Sequence, residues 1–262
     1  MADEVRLDQA LVERGLARSR TQAQQRIAAG LVAVDGRAIV RSSHRVAADA
    51  DIAIEGGDEW VSRAALKLIA ALDAFGVDAS GRVALDAGAS TGGFTQVLLA
   101  RGAAHVTAFD VGHGQFQLDV ATHPITLVEG VNVRDLQPGS LEPAPTLVTA
   151  DLSFISLALA IQPLVGVATP GADFIVLIKP QFEVGRSGVR EGIVTDPALR
   201  AKAIEQVLWA AWGAGLGTAG LTGSPIVGTR GNVEYLAHLS ASTGGNPTEW
   251  LHESVRLAEE AR

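Results

Sequence analysis

Four side chains of this 262-residue chain could together move a proton: Lys67, Asp151, Lys179 and Glu234. The chain holds 21 basic residues, but only Lys67, Lys179 and Lys202 are lysines. Where charge alone is needed the sequence uses arginine, which stays protonated under ordinary conditions; a lysine amine can lose its proton when buried or crowded by another cation. A retained lysine is therefore a candidate for proton transfer. Lys179 closes the apolar run Phe174-Ile175-Val176-Leu177-Ile178 and precedes Pro180, and Lys67 lies in Ser62-Arg63-Ala64-Ala65-Leu66-Lys67-Leu68. Glu234 sits in Val233-Glu234-Tyr235 at the start of a late strand. Each has a plainer reading too: Asp151 and Glu234 as salt-bridging acids, Lys67 as a surface lysine. Lys202, inside Ala201-Lys202-Ala203, has no motif around it and is assigned to background.

The elements that must position these groups alternate strand and helix. Val83–Leu85 ends at Asp86, His105–Phe109 at Asp110, Thr146–Ala150 at Asp151 and Phe174–Ile178 at Lys179. Short, apolar runs of this kind suit buried parallel strands. In an open α/β sheet, ligands bind beyond the carboxyl ends of the strands, so four ionisable strand ends point to one shared edge. Ile125–Val128 is a further expected strand, Thr218–Ser224 and Glu234–Leu239 the last two, and Thr248–Ala261 a closing helix. A helix over about Ser62–Phe75 precedes the alternating region.

The loop Asp86-Ala87-Gly88-Ala89-Ser90-Thr91-Gly92-Gly93-Phe94 follows the first of these strands and opens a helix. Small residues let the backbone approach a ligand and expose helix N-terminal amides. Asp110, 22 residues after Gly88, could bind ribose hydroxyls, a spacing that also suits NAD. S-adenosylmethionine, a sulfonium without phosphate, would suit a loop with an acid such as Asp86 before it. Asn132, in Gly130-Val131-Asn132, could meet an adenine. Asp86 and Asp110 could equally cap or brace their loops, and Asn132 could be a plain turn residue.

The first 57 residues read as a separate small module. Leu7, Leu11, Val12 and Leu16 recur at helical spacing with Gly15 as a C-cap, and Ser19 is suited to N-cap a second helix through Ala29, closed by Gly30. Val32–Val34 and Ala38–Val40 flank the tight-turn pair Asp35-Gly36, and Asp51–Ile54 alternates like a final strand. From Arg14 to Arg45 seven arginines stand against one acid, Asp35, a local balance of +6 in a chain whose net charge is −8. A basic head on an acidic chain fits nucleic acid, although a solvated helix face accounts for the charge equally well. Gly56-Gly57-Asp58-Glu59 reads as the start of a linker, giving a module over 1–57, a linker over 58–61 and a large domain over 62–262.

With 47% hydrophobic and 19% charged residues the composition is that of a soluble globular protein. No apolar run approaches the roughly 18–20 residues of a membrane span. The acidic start, Met1-Ala2-Asp3-Glu4, is unlike a signal peptide, and zero cysteines exclude disulfides and thiolate metal sites. A cytoplasmic protein with neither metal nor membrane partner is expected.

Arg6-Leu7-Asp8, Gly15-Leu16-Ala17-Arg18-Ser19-Arg20 and Ile27 through Gly36 resemble the RNA-binding domain of the ribosomal protein S-four type, the alpha-L motif. That resemblance implies RNA contact by Arg6, Arg18, Ser19, Arg20, Arg26 and Arg45, as phosphate neutralisation by arginine requires. Residues 60–240 resemble the FtsJ-type ribose 2′-O-methyltransferases, through Ser-Arg-Ala-x-x-Lys-Leu at Lys67, the glycine loop at Asp86, Ala-Asp-Leu-Ser at Asp151 and Val-Glu-Tyr at Glu234. Ser90 replaces the middle glycine of the general methyltransferase loop. The combination of the two modules resembles the TlyA, or hemolysin A, family of ribosomal RNA cytidine 2′-O-methyltransferases, with Lys179-Pro180-Gln181-Phe182-Glu183-Val184-Gly185 in agreement.

This resemblance implies an α/β fold: a Rossmann-like class I methyltransferase domain behind a small N-terminal α+β RNA-binding domain. It also implies a Lys67, Asp151, Lys179, Glu234 tetrad. S-adenosylmethionine would lie against Asp86, Gly88, Ala89, Ser90, Gly92, Gly93, Phe94, Asp110 and Asn132. The target would be ribosomal RNA within small or large subunits. For Lys179 to take the 2′-hydroxyl proton the site must favour its neutral amine; burial and Lys67 act that way, while Asp151 and Glu234 act against it. An NAD-linked oxidoreductase on the same fold is an alternative that leaves the basic module and the lysines unexplained. A membrane-active hemolysin would need a long apolar span or a basic amphipathic helix, and the terminal segment, with Glu249, Glu253, Glu259 and Glu260, is acidic. An RNA chaperone that only binds is a third.

Overall fold

The computed structural model describes residues 4–17, 19–28, 30–54, 60–185, 188–228 and 230–260. The N-terminal module begins with β1 (Val5–Arg6), α1 (Leu7–Glu13) and α2 (Arg20–Ala28). β2 (Val32–Val34), β3 (Arg37–Ala38), β4 (Arg45–Val46) and β5 (Ile52–Ile54) follow. Strands β3, β2 and β5 form an antiparallel sheet, with the tight turn at Asp35-Gly36, where both residues take positive φ. Leu7, Leu11, Ile27 and Val32 are the centre of its own apolar core. The predicted strand Ala38–Val40 is shorter than expected, because only two residues of β3 pair with β2. The β1–β4 pair was not foreseen; a two-residue strand carries no periodic signal.

After α3 (Ala64–Phe75) the large domain runs β6 (Val83–Ala87), α4 (Gly93–Ala100), β7 (His105–Asp110), β8 (Ile125–Glu129), β9 (Leu147–Ala150), α5 (Leu157–Val167) and β10 (Asp173–Ile178). The short α6 (Pro180–Glu183), α7 (Pro197–Gly213), β11 (Gly217–Gly223), β12 (Tyr235–Ser240) and α8 (Leu251–Glu260) complete it. The predicted closing helix divides: Pro247–Trp250 is a 3-10 turn with an Asn246/Glu249 capping box, and α8 starts after it. The seven strands lie in the order β11-β12-β10-β9-β6-β7-β8, and only β12 runs against the others.

Both faces of this sheet are covered, which is why its strands are continuously apolar rather than alternating. Along β10 the side chains divide with period two. Phe174, Val176 and Ile178 pack into the core under α5 and α7, whereas Ile175 and Leu177 join Leu68 and Leu72 of α3 and Val97 and Leu98 of α4. Helix α3 ends at Gly76, whose φ of 65° makes the left-handed C-cap. Chain order reverses between β6 and β9, so the crevice that gathers ligands in such sheets opens at their carboxyl ends.

Candidate active site

Two ion pairs stand at that edge. Lys67 projects from α3, and its Nζ lies 2.5 Å from Glu234 Oε2; the two side chains are 7% and 3% exposed. Lys179, just past β10, places Nζ 2.6 Å from Asp151 Oδ1, with exposures of 10% and 14%, and donates to Ser153 Oγ at 2.9 Å. Asp151 follows the last residue of β9; its amide still donates to the Ala87 carbonyl of β6 at 2.9 Å, which fixes the carboxylate at the strand end. Glu234 precedes β12; because that strand is reversed, its beginning lies beside the ends of the parallel strands. Burial works to raise the Asp151 carboxyl, but the charges of Lys179 and Lys67 outweigh it and hold the group below its ordinary range.

All four side chains line one cavity of about 220 Å³. Gly88, Ala89, Ser90, Gly93 and Phe94 of the predicted loop form another wall. Gly88, Ser90, Asp151 and Ser153 also line a second cavity of about 670 Å³, which contains Asp110 and Asn132. The two spaces therefore meet over Asp151. Gly88 has φ +87°, and a Cβ there would lie 2.5 Å from the Asp151 carbonyl oxygen, so no side chain fits between loop and strand end. Asp110 accepts the amides of Ser90 at 2.8 Å and Gly112 at 2.7 Å, which ties the glycine loop to β7 while its carboxylate borders the larger cavity. Asn132 acts as a turn residue, its Oδ1 accepting the Arg134 amide to cap the 3-10 turn Val133–Asp135, and it also lines the larger cavity.

Two predicted cofactor residues sit elsewhere. Asp86 is fully enclosed and borders neither cavity. Strand β6 continues to Ala87, and its alternation turns Asp86 beneath α4, where Thr95 Oγ1 donates at 2.6 Å and Thr149 Oγ1 at 3.3 Å. Burial, with the charge of Asp151 adding to it, pushes the Asp86 carboxyl up to about 7 against the bonds from Thr95 and Thr149. Gly92 lines neither cavity; its φ of 96° makes the N-cap of α4.

The FtsJ-like methyltransferase family matches residues 60–241, and the S4 domain matches residues 5–52. This chain belongs to the TlyA family of FtsJ-like methyltransferases. It is 47% identical over 247 residues to the 16S/23S rRNA (cytidine-2′-O)-methyltransferase TlyA of Mycobacterium tuberculosis H37Rv, covering 93% of this chain and 92% of that protein. The Hemolysin A of Brachyspira hyodysenteriae is 36% identical over 238 residues, 89% of this chain and 99% of its own. A solved chain from Streptococcus thermophilus that carries a hemolysin name superposes with a TM-score of 0.75 at 33% identity, covering 100% of this chain and 98% of that one. Among the described residues of this methyltransferase no helix is long and apolar enough to cross a membrane.

In the S4 domain two of the nominated arginines, Arg6 and Arg20, converge on one buried acid. Arg6 holds Asp8 with two bonds of 3.0 Å, Arg20 adds a third at 3.1 Å and Gln24 a fourth at 2.9 Å. The fork of Arg6 above all, working against burial, holds the Asp8 carboxyl well below the usual range. Ser19 accepts the Gln22 amide at the start of α2. Arg26 donates to the Leu16 carbonyl and the exposed Arg45 to the Glu4 carbonyl. Arg18 lies outside the described residues. Arg14, counted in the basic run, spends its guanidinium on the carbonyls of Ala47, Ala48 and Ala50.

Sequence reasoning missed Ser153, the acceptor of Lys179, although it stands two residues after Asp151 in the same motif. It also missed Phe154, which is 91% exposed at φ +64° on the rim of the larger cavity. A single aromatic in a loop leaves no periodic trace.

Proposed function

We propose that this methyltransferase transfers a methyl group from S-adenosylmethionine to the ribose 2′-hydroxyl of cytidine in ribosomal RNA. The observation that carries the reading is the meeting of two lysine–carboxylate pairs with a glycine loop at one cavity, in a chain that also bears an S4 domain. S-adenosylmethionine supplies a methyl on a sulfonium that departs as a neutral thioether. Asp110 and Asn132 border the space suited to its adenosine, and Gly88, Ala89 and Ser90 the passage toward Asp151. Asp86 acts from beneath by bracing the loop.

Lys179 in its neutral form takes the 2′-hydroxyl proton as the oxygen attacks the methyl carbon. Asp151, which also feels the charge of Lys67, stabilises the ammonium that results. Lys67 holds Glu234 and adds a fixed positive charge. Positioning by these four groups supplies much of the rest. Arg6, Ser19, Arg20, Arg26 and Arg45 contact RNA phosphates, with Asp8 fixing the first and third of them. A ribosomal target, in one or both subunits, places the enzyme in the cytoplasm. An NAD-linked oxidoreductase would leave the tetrad and the S4 domain without a task.

The test is Lys179→Arg, assayed by labelled methyl transfer to each ribosomal subunit and by calorimetric titration with S-adenosylmethionine. Transfer is lost while cofactor affinity is retained. Substantial transfer by the variant would remove Lys179 as base, and absence of transfer by the wild type would remove the reaction.

A further inference from the structure

A third cavity, of about 450 Å³, opens past Lys179 and Glu234, and Gln181 and Phe182 of α6 line it. The short helix α6 and the irregular segment between β9 and α5 meet at three places, in the same chain order on both sides. Lys179 reaches Asp151 and Ser153. Phe182 lies against Phe154, with ring centroids 5.4 Å apart and planes inclined at 50°. Glu183 accepts Ser156 Oγ at 2.6 Å and the Leu157 amide at 2.7 Å. The first contact belongs to the proposed chemistry, and the second lies at the surface, where Phe154 is exposed. The third is enclosed: Glu183 is 7% exposed and lines none of the three cavities. It also replaces a helix cap. Ser156 stands at the N-cap of α5, yet its hydroxyl bonds no amide of that helix, and the first turn of α5 holds no acid. The oxygen that satisfies the first free amide of α5 comes from α6 instead.

We infer that Glu183 is a positioning residue: by tying α6 to the start of α5 it sets where the Lys179 amine stands against Asp151, an inference that rests on the reading of Lys179 as base. Lys179 and Glu183 are four residues apart on one side, and Asp151 and Ser156 five apart on the other. The turn between Lys179 and Glu183 is stiff. Pro180 opens it with a fixed φ, the Phe182 amide donates to the Lys179 carbonyl at 2.9 Å, and the Val184 amide donates to the Pro180 carbonyl at 3.1 Å. A shift at Glu183 is therefore carried to Lys179. Helix α5 is anchored from behind, with Leu157, Ala160, Ile161, Leu164 and Val167 buried, whereas α6 has only four residues. A shortened clamp accordingly moves α6 rather than α5. Group transfer is steep in distance, since a displacement of about 1 Å can cost about a hundredfold in rate.

The experiment compares Glu183→Gln with Glu183→Asp. Glutamine keeps the reach: its amide oxygen accepts the Leu157 N–H and its amino group donates to Ser156 Oγ. Aspartate keeps the carboxyl but is one methylene short. Methyl transfer is measured at saturating ribosomal subunits, and kcat is taken per S-adenosylmethionine-binding site counted by calorimetry, so misfolded molecules do not enter the comparison. Glu183→Gln stays within about threefold of wild type in kcat. Glu183→Asp loses about tenfold to a hundredfold in kcat. Both keep S-adenosylmethionine affinity within about threefold, because no residue of α6 lines the cavity of Asp110 and Asn132. Wild-type kcat in Glu183→Asp overturns the inference and leaves the methyl-transfer reading standing. So does a Glu183→Gln enzyme as slow as Glu183→Asp, which would assign the loss to charge rather than reach, and so does a loss confined to cofactor affinity. A wild type that methylates no ribose fails the methyl-transfer reading itself.

Discussion

Asp86 should make this methyltransferase less stable as the pH rises through neutrality, and asparagine at that position should remove the effect. The carboxyl is fully buried and is raised from 3.8 to about 7. Between these values the folded chain keeps a proton that the unfolded chain has released, so the contribution of Asp86 to stability is full below pH 4, falls as pH rises toward 7 and levels off above it. A shift of about 3 units is worth about 4 kcal/mol in full, of which about 3 kcal/mol falls between pH 5 and pH 8. The substituted amide would fit the same bonds: Thr95 Oγ1 still finds an oxygen, and Thr149 Oγ1, which also donates to the Leu85 carbonyl at 3.3 Å, can accept the amide N–H. The assay is urea unfolding of cofactor-free wild type and Asp86→Asn at pH 5 and pH 8, followed by tryptophan fluorescence. All four tryptophans, at 60, 209, 212 and 250, lie outside the S4 match over residues 5–52, and Trp60 and Trp250 pack on the cores that flank the large sheet, so the signal reports the domain that contains Asp86. The variant should gain about 3 kcal/mol on wild type between the two pH values, with other titrating groups cancelling in the comparison. A gain within about 0.5 kcal/mol of zero, or one of opposite sign, would refute the assignment of a neutral carboxyl to this position.

Two further substitutions separate the cofactor side of the site from the RNA side. Gly88→Ala, which drives a Cβ toward the Asp151 carbonyl at a backbone angle that alanine disfavours, should weaken S-adenosylmethionine by at least about tenfold in calorimetry, while circular dichroism shows the fold retained. Phe154→Ala should lower kcat/KM on the ribosomal substrate by about tenfold to a hundredfold, as loss of a base-stacking aromatic does, with the melting temperature unchanged because the ring is 91% exposed. Phe154→Tyr should restore activity and Phe154→Leu should not; rescue by leucine would mean that the ring serves only as apolar bulk.

The four clustered side chains of the candidate site were legible in the sequence because three different geometries bring them to one edge, and each leaves a local mark. Asp151 and Lys179 end parallel strands; Glu234 begins the reversed strand β12; Lys67 sits on an α3 turn that packs over β10 and β12. Asp86 was misplaced because one further residue of strand, Ala87, turns the carboxylate beneath α4, and a one-residue extension is below what an apolar run reveals. The basic run was legible as charge but not as use: Arg14 and Arg26 hold carbonyls of their own domain, and Arg6 and Arg20 share one buried acid. Counting charges cannot distinguish a guanidinium that faces a phosphate from one that fastens a turn.

The two ion pairs are alike in composition and unlike in position, and position decides their tasks on the proposed reading. Lys67 borders only the small cavity, and its partner Glu234 is almost wholly enclosed. Lys179 borders both the small cavity and the one lined by Gln181, whereas Asp151 borders both the small cavity and the one lined by Asp110. On that reading a methyl group passes from the cavity of Asp110 toward that of Lys179 across the region of Asp151 and Ser153, which stands between them. The proton leaving the hydroxyl is then nearest the amine whose carboxylate partner already faces the departing cation. Transfer of that proton places a new ammonium beside Asp151 as the sulfonium charge disappears, so the net charge of the site is conserved through the step. Moving the same proton to Lys67 would require it to pass the closed pair with Glu234. The geometry therefore favours Lys179 as base and leaves Lys67 as a fixed cation whose charge adds to that of Lys179 in holding the Asp151 carboxyl down before the step.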